Sequence, residues 1–241
     1  MDFNEYYKEL GIAFDNNGLH DLLDESGARK LWKFAQMLVE TNKLYNLTAI
    51  TDEKEIILKH FVDCASISDH IPTESTLVDV GCGAGFPSIP VAILRPDVRV
   101  TALDSTAKRV DFVAMCAKEL GLDNLTAVCA RAEDFALENR ERFDVCTSRA
   151  VARLNVLSEL CIPLVRIGGS FIAMKSNKGD EELAEAINAI DKLGCDRGTV
   201  KNDEFEYNGI VSTRKLLIFE KIKPTPKEYP RNYSRIMKKP L

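Results

Sequence analysis

The sequence predicts an α/β protein: a doubly wound, Rossmann-like parallel sheet preceded by an N-terminal helical cap. Three observations carry that prediction. From residue 76 onward, apolar runs of strand length alternate with helical patterns. The first of those runs ends in a glycine-rich turn that opens a helix, and the first 75 residues show helical periodicity without a strand pattern.

Strands are expected at 76–80, 98–103, 125–129, 143–147 and 170–174, with helices at 87–95, 106–120, about 133–140 and 152–166 between them. Continuous apolar runs suit parallel strands buried on both faces, and helix-length connections return each strand in the same direction. A further helix is expected at about 180–193, where Leu183, Ile187 and Ile190 share a face. The last two runs, 196–203 and 213–221, have no helical pattern between them, so they predict a hairpin that adds an antiparallel strand at the sheet edge. In the cap, Leu31, Phe34, Ala35, Leu38 and Val39 give the segment 28–42 one wide apolar face. Asp52 with Glu55 is a capping-box pattern opening a helix over about 53–68, buried through Ile57, Phe61, Cys64 and Ala65. At 100° per residue His60 and Asp63 fall on another side of that helix, one turn apart, either facing a site or forming a surface pair. The chain therefore divides into a cap (1–75), a sheet domain (76–221) and a tail (222–241), in which Pro224, Pro226 and Pro230 prevent one continuous helix.

The turn after the first strand reads Asp79-Val80-Gly81-Cys82-Gly83-Ala84-Gly85-Phe86-Pro87. Its glycines allow a sharp turn and close approach of a ligand to bare backbone. The dinucleotide fingerprint GxGxxG fails, because Phe86 occupies the third glycine's place. What stands instead is D-x-G-x-G-x-G, Asp79, Gly81, Gly83 and Gly85, a loop typical of enzymes that use S-adenosyl-L-methionine (AdoMet). Asp104 ends the second strand 23 residues after Gly81, followed by Ser105, and is placed to accept hydrogen bonds from two ribose hydroxyls. The plainer reading makes Asp104 the N-cap of the helix near Ala107.

Composition bounds the rest. A chain of 241 residues with 45% hydrophobic content has room for one substantial α/β domain and an extension. Seven cysteines form no CxxC pair and show no zinc spacing, so no metal site is expected and the thiols read as reduced and cytoplasmic. No apolar run reaches membrane-spanning length, and no membrane association is expected. The formal charge of −5 is uneven: residues 1–75 carry −7, 76–220 carry −4, and 221–241 carry +6 with Tyr229 and Tyr233 among the basic residues. Basic and aromatic residues together suit a nucleic-acid strand, and a solvated tail is the alternative. The oligomeric state is open, with a monomer favoured.

These pieces resemble the glucose-inhibited division protein B family, methyltransferases that form 7-methylguanosine in small-subunit ribosomal RNA. The resemblance runs from about Leu31 to the C-terminus through NKLYNLTAI (42–50), HFVDCASI (60–67), LVDVGCGAGFPSIPVAI (77–93), RAED (131–134), SRAVARL (148–154) and KEYPR (227–231). It implies an AdoMet-dependent methyltransferase fold, with 16S ribosomal RNA or a small-subunit precursor as partner. It also implies that Gly81 and Phe86 contact AdoMet, Ala132 and Glu133 its adenine, and Arg149 the far side of the pocket. It sets Asn42, Asn46, His60 and Asp63 of the cap opposite the SRAVAR segment, where they would orient a guanine ring while Arg153 and Lys175 hold RNA phosphates or guanine O6. The alternative is that Asn46 and Asp63 merely tie the cap to the sheet. After YPR the tail departs from the family, with Ser234 and Ile236 where many members have Gly and Pro.

The acceptor atom is partly readable without the family. Exocyclic amino methylation goes with an Asn/Asp-Pro-Pro-aromatic loop after the fourth strand, where this chain has Thr147-Ser148-Arg149-Ala150. Carbon-5 methylation of a pyrimidine uses a Pro-Cys nucleophile, and this chain has no Pro-Cys. Guanine N7 attacks with an in-plane lone pair and loses no proton, so in-line positioning suffices without a general base. Two other readings share these residues. A nicotinamide-dependent oxidoreductase would use the same loop and Asp104, against Phe86 and the lack of a readable Tyr/Lys or His pair; a non-enzymatic RNA-binding protein would have no need of the intact glycines.

Overall fold

The apolar runs marked as strands form the parallel part of a seven-stranded sheet: β1 (Thr76–Val80), β2 (Arg99–Asp104), β3 (Leu125–Cys129), β4 (Phe143–Arg149) and β5 (Val165–Lys175). A hairpin, β6 (Thr199–Tyr207) and β7 (Ile210–Glu220), adds β7 antiparallel to β5, giving the order β3-β2-β1-β4-β5-β7-β6. The computed structural model describes residues 1–149, 151–176 and 179–241, so Ala150 of the loop after β4 lies outside the described residues.

The helices are α1 (Phe3–Asn16), α2 (Glu25–Asn42), a composite α3, then α4 (Ser88–Leu94), α5 (Ala107–Leu120), α6 (Ala132–Glu138), α7 (Leu154–Cys161), α8 (Gly179–Leu193) and α9 (Tyr233–Lys238). Because strand side chains alternate, adjacent residues feed opposite layers. Leu77, Val100, Val145, Ile172 and Leu216 join one core with α4, α5 and the three cap helices, including Tyr6, Phe14, Leu31, Phe34 and Phe61. Val78, Leu103, Cys146, Phe171 and Leu217 join the other with α7 and α8. The first 75 residues thus cover one sheet face. Asn17 reinforces this by exchanging hydrogen bonds with the Glu206 backbone of β6 (3.0 and 3.1 Å).

Four details differ from the sequence reading. Asp52 caps α3 by accepting from the Lys54 and Glu55 amides, but the helix runs Glu53–Ile56, then a π-helical Ile57–Val62, then Asp63–Ala65. A π turn is wider than an α turn, so the rotation per residue departs from 100° over Ile57–Val62, while Ile57, Phe61, Cys64 and Ala65 are buried as expected. The helix expected to reach 166 stops at Cys161 and tightens to a 3₁₀ turn, Ile162–Leu164, because Pro163 has no amide to donate. β5 starts earlier than expected, with a register shift opposite Phe143 to Val145 where Gly168 takes a left-handed φ of +78°. The hairpin closes on Asn208 and Gly209, both at positive φ (51° and 74°), the pairing a type I′ turn requires.

The tail is packed down. Tyr229 and Ile236 are buried against the α7–α8 layer. Arg231 donates its amide, Nε and Nη2 to the fully buried Glu159 (2.8, 2.8 and 2.5 Å), and Arg140 donates to three tail carbonyls. Arg235, Lys238 and Lys239 remain exposed.

Candidate active site

The strand order reverses at β1, with β2 on one side and β4 on the other, and an open α/β sheet binds ligands at the carboxyl ends of its strands at such a point. A cleft of about 540 Å³ lies there, within the size range of small-ligand sites. Of the residues singled out from sequence, Gly81, Gly83, Phe86, Asp104, Ser105, Ala132, Glu133, Arg149 and His60 line it.

The glycine loop is pinned by the Gly81 and Cys82 amides, which both donate to the Leu103 carbonyl (2.7 and 3.0 Å). Its three glycines all have positive φ but serve different ends. A Cβ on Gly81 would sit 2.4 Å from Val151, and one on Gly85 2.5 Å from Ile89, so these two are required by packing. A Cβ on Gly83 would meet nothing nearer than the Gly81 carbonyl at 4.0 Å, so this glycine borders the open cleft.

Asp104 is 5% exposed and oriented by two amides: Gly83 N–H donates to Oδ2 (3.0 Å) and Thr106 N–H to Oδ1 (2.9 Å). Thr106, not Asp104, occupies the N-cap of α5, so the capping reading is corrected. Asp104 Oδ1 keeps a second lone pair for a hydroxyl donor in the cleft, while Oδ2 also lies 3.5 Å from Arg109 Nη1. Glu133, at the start of α6, accepts from Arg131 Nε (3.2 Å).

The opposite wall joins cap and sheet. Arg149, at the end of β4, donates to Asp63 Oδ2 (2.9 Å) and the Lys59 carbonyl (3.2 Å), and its Nη2 lies 3.1 Å from His60 Nδ1. Nδ1 also lies 3.1 Å from the Lys59 carbonyl, so the guanidinium calls for an accepting Nδ1 and the carbonyl for a donating one, while Nε2 faces Thr48 Oγ at 3.2 Å. Burial first, then Arg149, pushes the His60 pKa down to about 3, leaving the ring neutral. The ring stacks on Phe86 with centroids 4.1 Å apart, and Arg149 lies 5.0 Å from the Phe86 centroid. Asp63 also accepts from Arg214 Nε and Nη2 (2.6 and 2.7 Å), a bidentate grip from β7. Both His60 and Asp63 are buried, which rules out the surface pair.

Other sequence candidates lie outside the cleft wall. Asp79 is fully buried; its Oδ2 accepts from the Ser88 amide and hydroxyl, which fixes the start of α4 beneath the loop. Burial pushes its pKa up to about 7, and Oδ1 has no partner. Asn42 folds the segment after α2, accepting from the Leu47 and Thr48 amides and donating to the Thr48 carbonyl, and Asn46 is exposed. Arg153 donates to Glu185, while the buried Lys175 donates to the Ala152 carbonyl and pairs with Glu182. Thr48, Arg109 and Arg131 also line the cleft, and sequence reasoning assigned none of them a role; Tyr233, read there as an aromatic residue of a nucleic-acid-binding tail, lines it too. The NLTAI and RAED segments were the available signals for Thr48 and Arg131.

Residues 27–206 match the model of the rRNA small subunit methyltransferase G family. The ribosomal RNA small subunit methyltransferase G of Clostridium perfringens is 44% identical over 98% of this chain and 99% of its own. That of Staphylococcus carnosus is 46% identical over 92% and 94%. Among solved structures, precorrin-6y C5,15-methyltransferase from Geobacter metallireducens superposes with a TM-score of 0.52 at 16% identity, covering 66% of this chain and 87% of that one, a likeness of fold. The cleft at the β1 switch point, with its wall from the cap, therefore lies in a chain that belongs to the rRNA small subunit methyltransferase G family.

Proposed function

We propose that the protein transfers the methyl group of AdoMet to N7 of a guanine in 16S ribosomal RNA, as a cytoplasmic enzyme acting on RNA or on a small-subunit precursor. The observation that carries this reading is the pairing, across one cleft, of Gly83 and Asp104 with the His60–Phe86–Arg149 wall. The residues fit the cofactor: a glycine that borders open space, a carboxylate with a free lone pair for a ribose hydroxyl, and Ala132 and Glu133 at a helix start beside them. When bound, AdoMet supplies an electrophilic sulfonium methyl.

The chain's own residues orient and exclude. His60 is neutral, and both ring nitrogens already have partners, Nδ1 in Arg149 and the Lys59 carbonyl and Nε2 in Thr48. Neither nitrogen is left without a partner. Among the described residues lining the cleft, Asp104 and Glu133 are the carboxylates, and the lone pairs left to them beside the amides and Arg131 go, on this reading, to the cofactor's ribose and adenine. A site without a free base supports an acceptor that loses no proton, as guanine N7 does. The Phe86–His60 stack borders the cleft, and an A-form helix hides N7 in a deep groove, so the substrate guanine is one in a loop or one extruded.

The test is calorimetric titration with AdoMet and then NADH, followed by methyl transfer from labelled AdoMet to 16S RNA and to small-subunit particles. Heat with AdoMet alone and label recovered as 7-methylguanosine is the expected result. Heat with NADH alone would establish the oxidoreductase, and heat with neither an RNA-binding protein.

A further inference from the structure

The C-terminal tail reaches the cofactor cleft. Tyr233, first residue of α9, lines the cleft beside the Arg131–Glu133 segment, and the Arg131 guanidinium sits 4.3 Å from its ring centroid. The ring is held from both ends of the tail. Arg231 grips the buried Glu159, Ile236 is fully buried, and Asn232 caps α9 by accepting from the Arg235 amide. The helix depends on residues at which this tail departs from the family it resembles: the Ile236 amide donates to the Asn232 carbonyl at 3.1 Å, a bond proline could not make.

We propose that Tyr233 is a cofactor-binding residue that closes the adenosine end of the cleft, with Arg131 backing the ring, so that the basic tail forms part of the cofactor pocket. This rests on the AdoMet reading above and adds to it a residue from outside the glycine loop and the strand ends. One face of the ring is covered by Arg131, whose other partner is Glu133, and the ring's remaining apolar surface meets the cleft's occupant. Contact between an aromatic ring and a purine contributes about 1–3 kcal/mol in nucleic-acid sites, and the guanidinium on the far face adds to the ring's immobility.

The test compares wild type with Tyr233→Ala, Tyr233→Leu and Tyr233→Phe by calorimetric titration of AdoMet and of 5′-methylthioadenosine, which shares the adenosine but lacks the amino-acid end. Tyr233→Ala should weaken both ligands by about tenfold, on the order of 1.4 kcal/mol. Tyr233→Leu, which keeps the apolar packing of α9, should lose affinity similarly, and Tyr233→Phe should stay within about twofold. The ligand-free melting temperature of Tyr233→Leu should stay close to wild type. AdoMet affinity unchanged in both Ala and Leu variants would overturn the inference and leave the AdoMet reading standing. Loss for AdoMet but not for methylthioadenosine would overturn the adenosine placement. Failure of wild type to bind either ligand would overturn both readings.

Discussion

Replacing Asp63 by Asn separates a structural role from a catalytic one. The carboxylate is 1% exposed and accepts three charge-assisted bonds, from Arg149 at 2.9 Å and from Arg214 at 2.6 and 2.7 Å. The two guanidinium side chains are themselves only 12% and 17% exposed. Asn keeps one acceptor oxygen and turns an NH₂ toward a donor, so at least one bond becomes a donor–donor contact and both cations lose their counter-charge. Removing one partner of a buried pair costs about 3–5 kcal/mol. In a domain of this size each kcal/mol moves the melting temperature by about 2–4 °C, so the drop should be roughly 6–20 °C. Arg214→Met should cost less, because Asp63 keeps Arg149, and adding Arg214→Met to Asp63→Asn should restore part of the loss by removing one uncompensated cation. Thermal unfolding followed by circular dichroism reads all three, with AdoMet titration well below each transition. A melting temperature for Asp63→Asn within about 2 °C of wild type, with methyl transfer lowered tenfold or more, would refute this reasoning and make Asp63 a group that acts on the substrate.

Three further outcomes follow from the same geometry. Gly83→Ala should fold with the 1–2 kcal/mol cost of a left-handed backbone yet weaken AdoMet at least tenfold, whereas Gly85→Ala should melt well below it, since its Cβ meets Ile89; titration and melting curves compare them. For Asp79 the folded-state pKa of about 7 lies above the ordinary 3.8, so the native state holds its proton longer and stability falls as pH rises from about 4 to 8, by on the order of 4 kcal/mol in full. Asp79→Asn cannot ionise, so its melting temperature should gain on wild type between pH 5 and about 7 and level off near pH 8, and a constant difference across that range would count against a raised pKa. Replacing Arg235, Lys238 and Lys239 with Gln should lower the log–log salt slope of RNA binding by about 0.7 per lost phosphate contact, with AdoMet affinity unmoved; filter binding at several salt concentrations checks it.

What the sequence could show depended on how far each function reaches along the chain. The β1 strand, its glycine loop and Asp104 are legible because a run of apolar residues, a turn and an acid at a set distance are local features. Asp104 even lands within hydrogen-bond range of Gly83, as a residue closing the second strand beside the first must. The opposite wall is built from residues 90 and 151 positions apart, Lys59 with Arg149 and Asp63 with Arg214, and no periodicity announces such contacts. His60 and Asp63 do share a side of α3, as their spacing suggested, but the residue that they share it with, Arg149, is 89 and 86 positions away. Arg153 and Lys175 illustrate the converse: positive residues read from sequence as free for phosphates meet carboxylates of α8, Glu185 and Glu182, that only the fold brings to them.

The cap follows from the chemistry of one buried arginine. Arg149 ends β4 with its guanidinium in the cleft wall, where a charge without partners would be costly, and its three polar contacts, Asp63, the Lys59 carbonyl and His60 Nδ1, all belong to α3. The sheet contributes no acceptor to it among the described residues, so the wall that faces the glycine loop cannot be completed by residues 76 onward alone. His60, held beside Arg149, stacks on Phe86, which ties the last residue before Pro87 to the cap as well. Arg214 then draws the β6–β7 hairpin onto the same carboxylate, and Asn17 and Glu9 hold that hairpin to α1. The antiparallel edge, the cap and the end of β4 are therefore one unit around Asp63. That unit shapes the wall opposite the cofactor side of the cleft, and it is positioning of this kind that the in-line transfer proposed above requires.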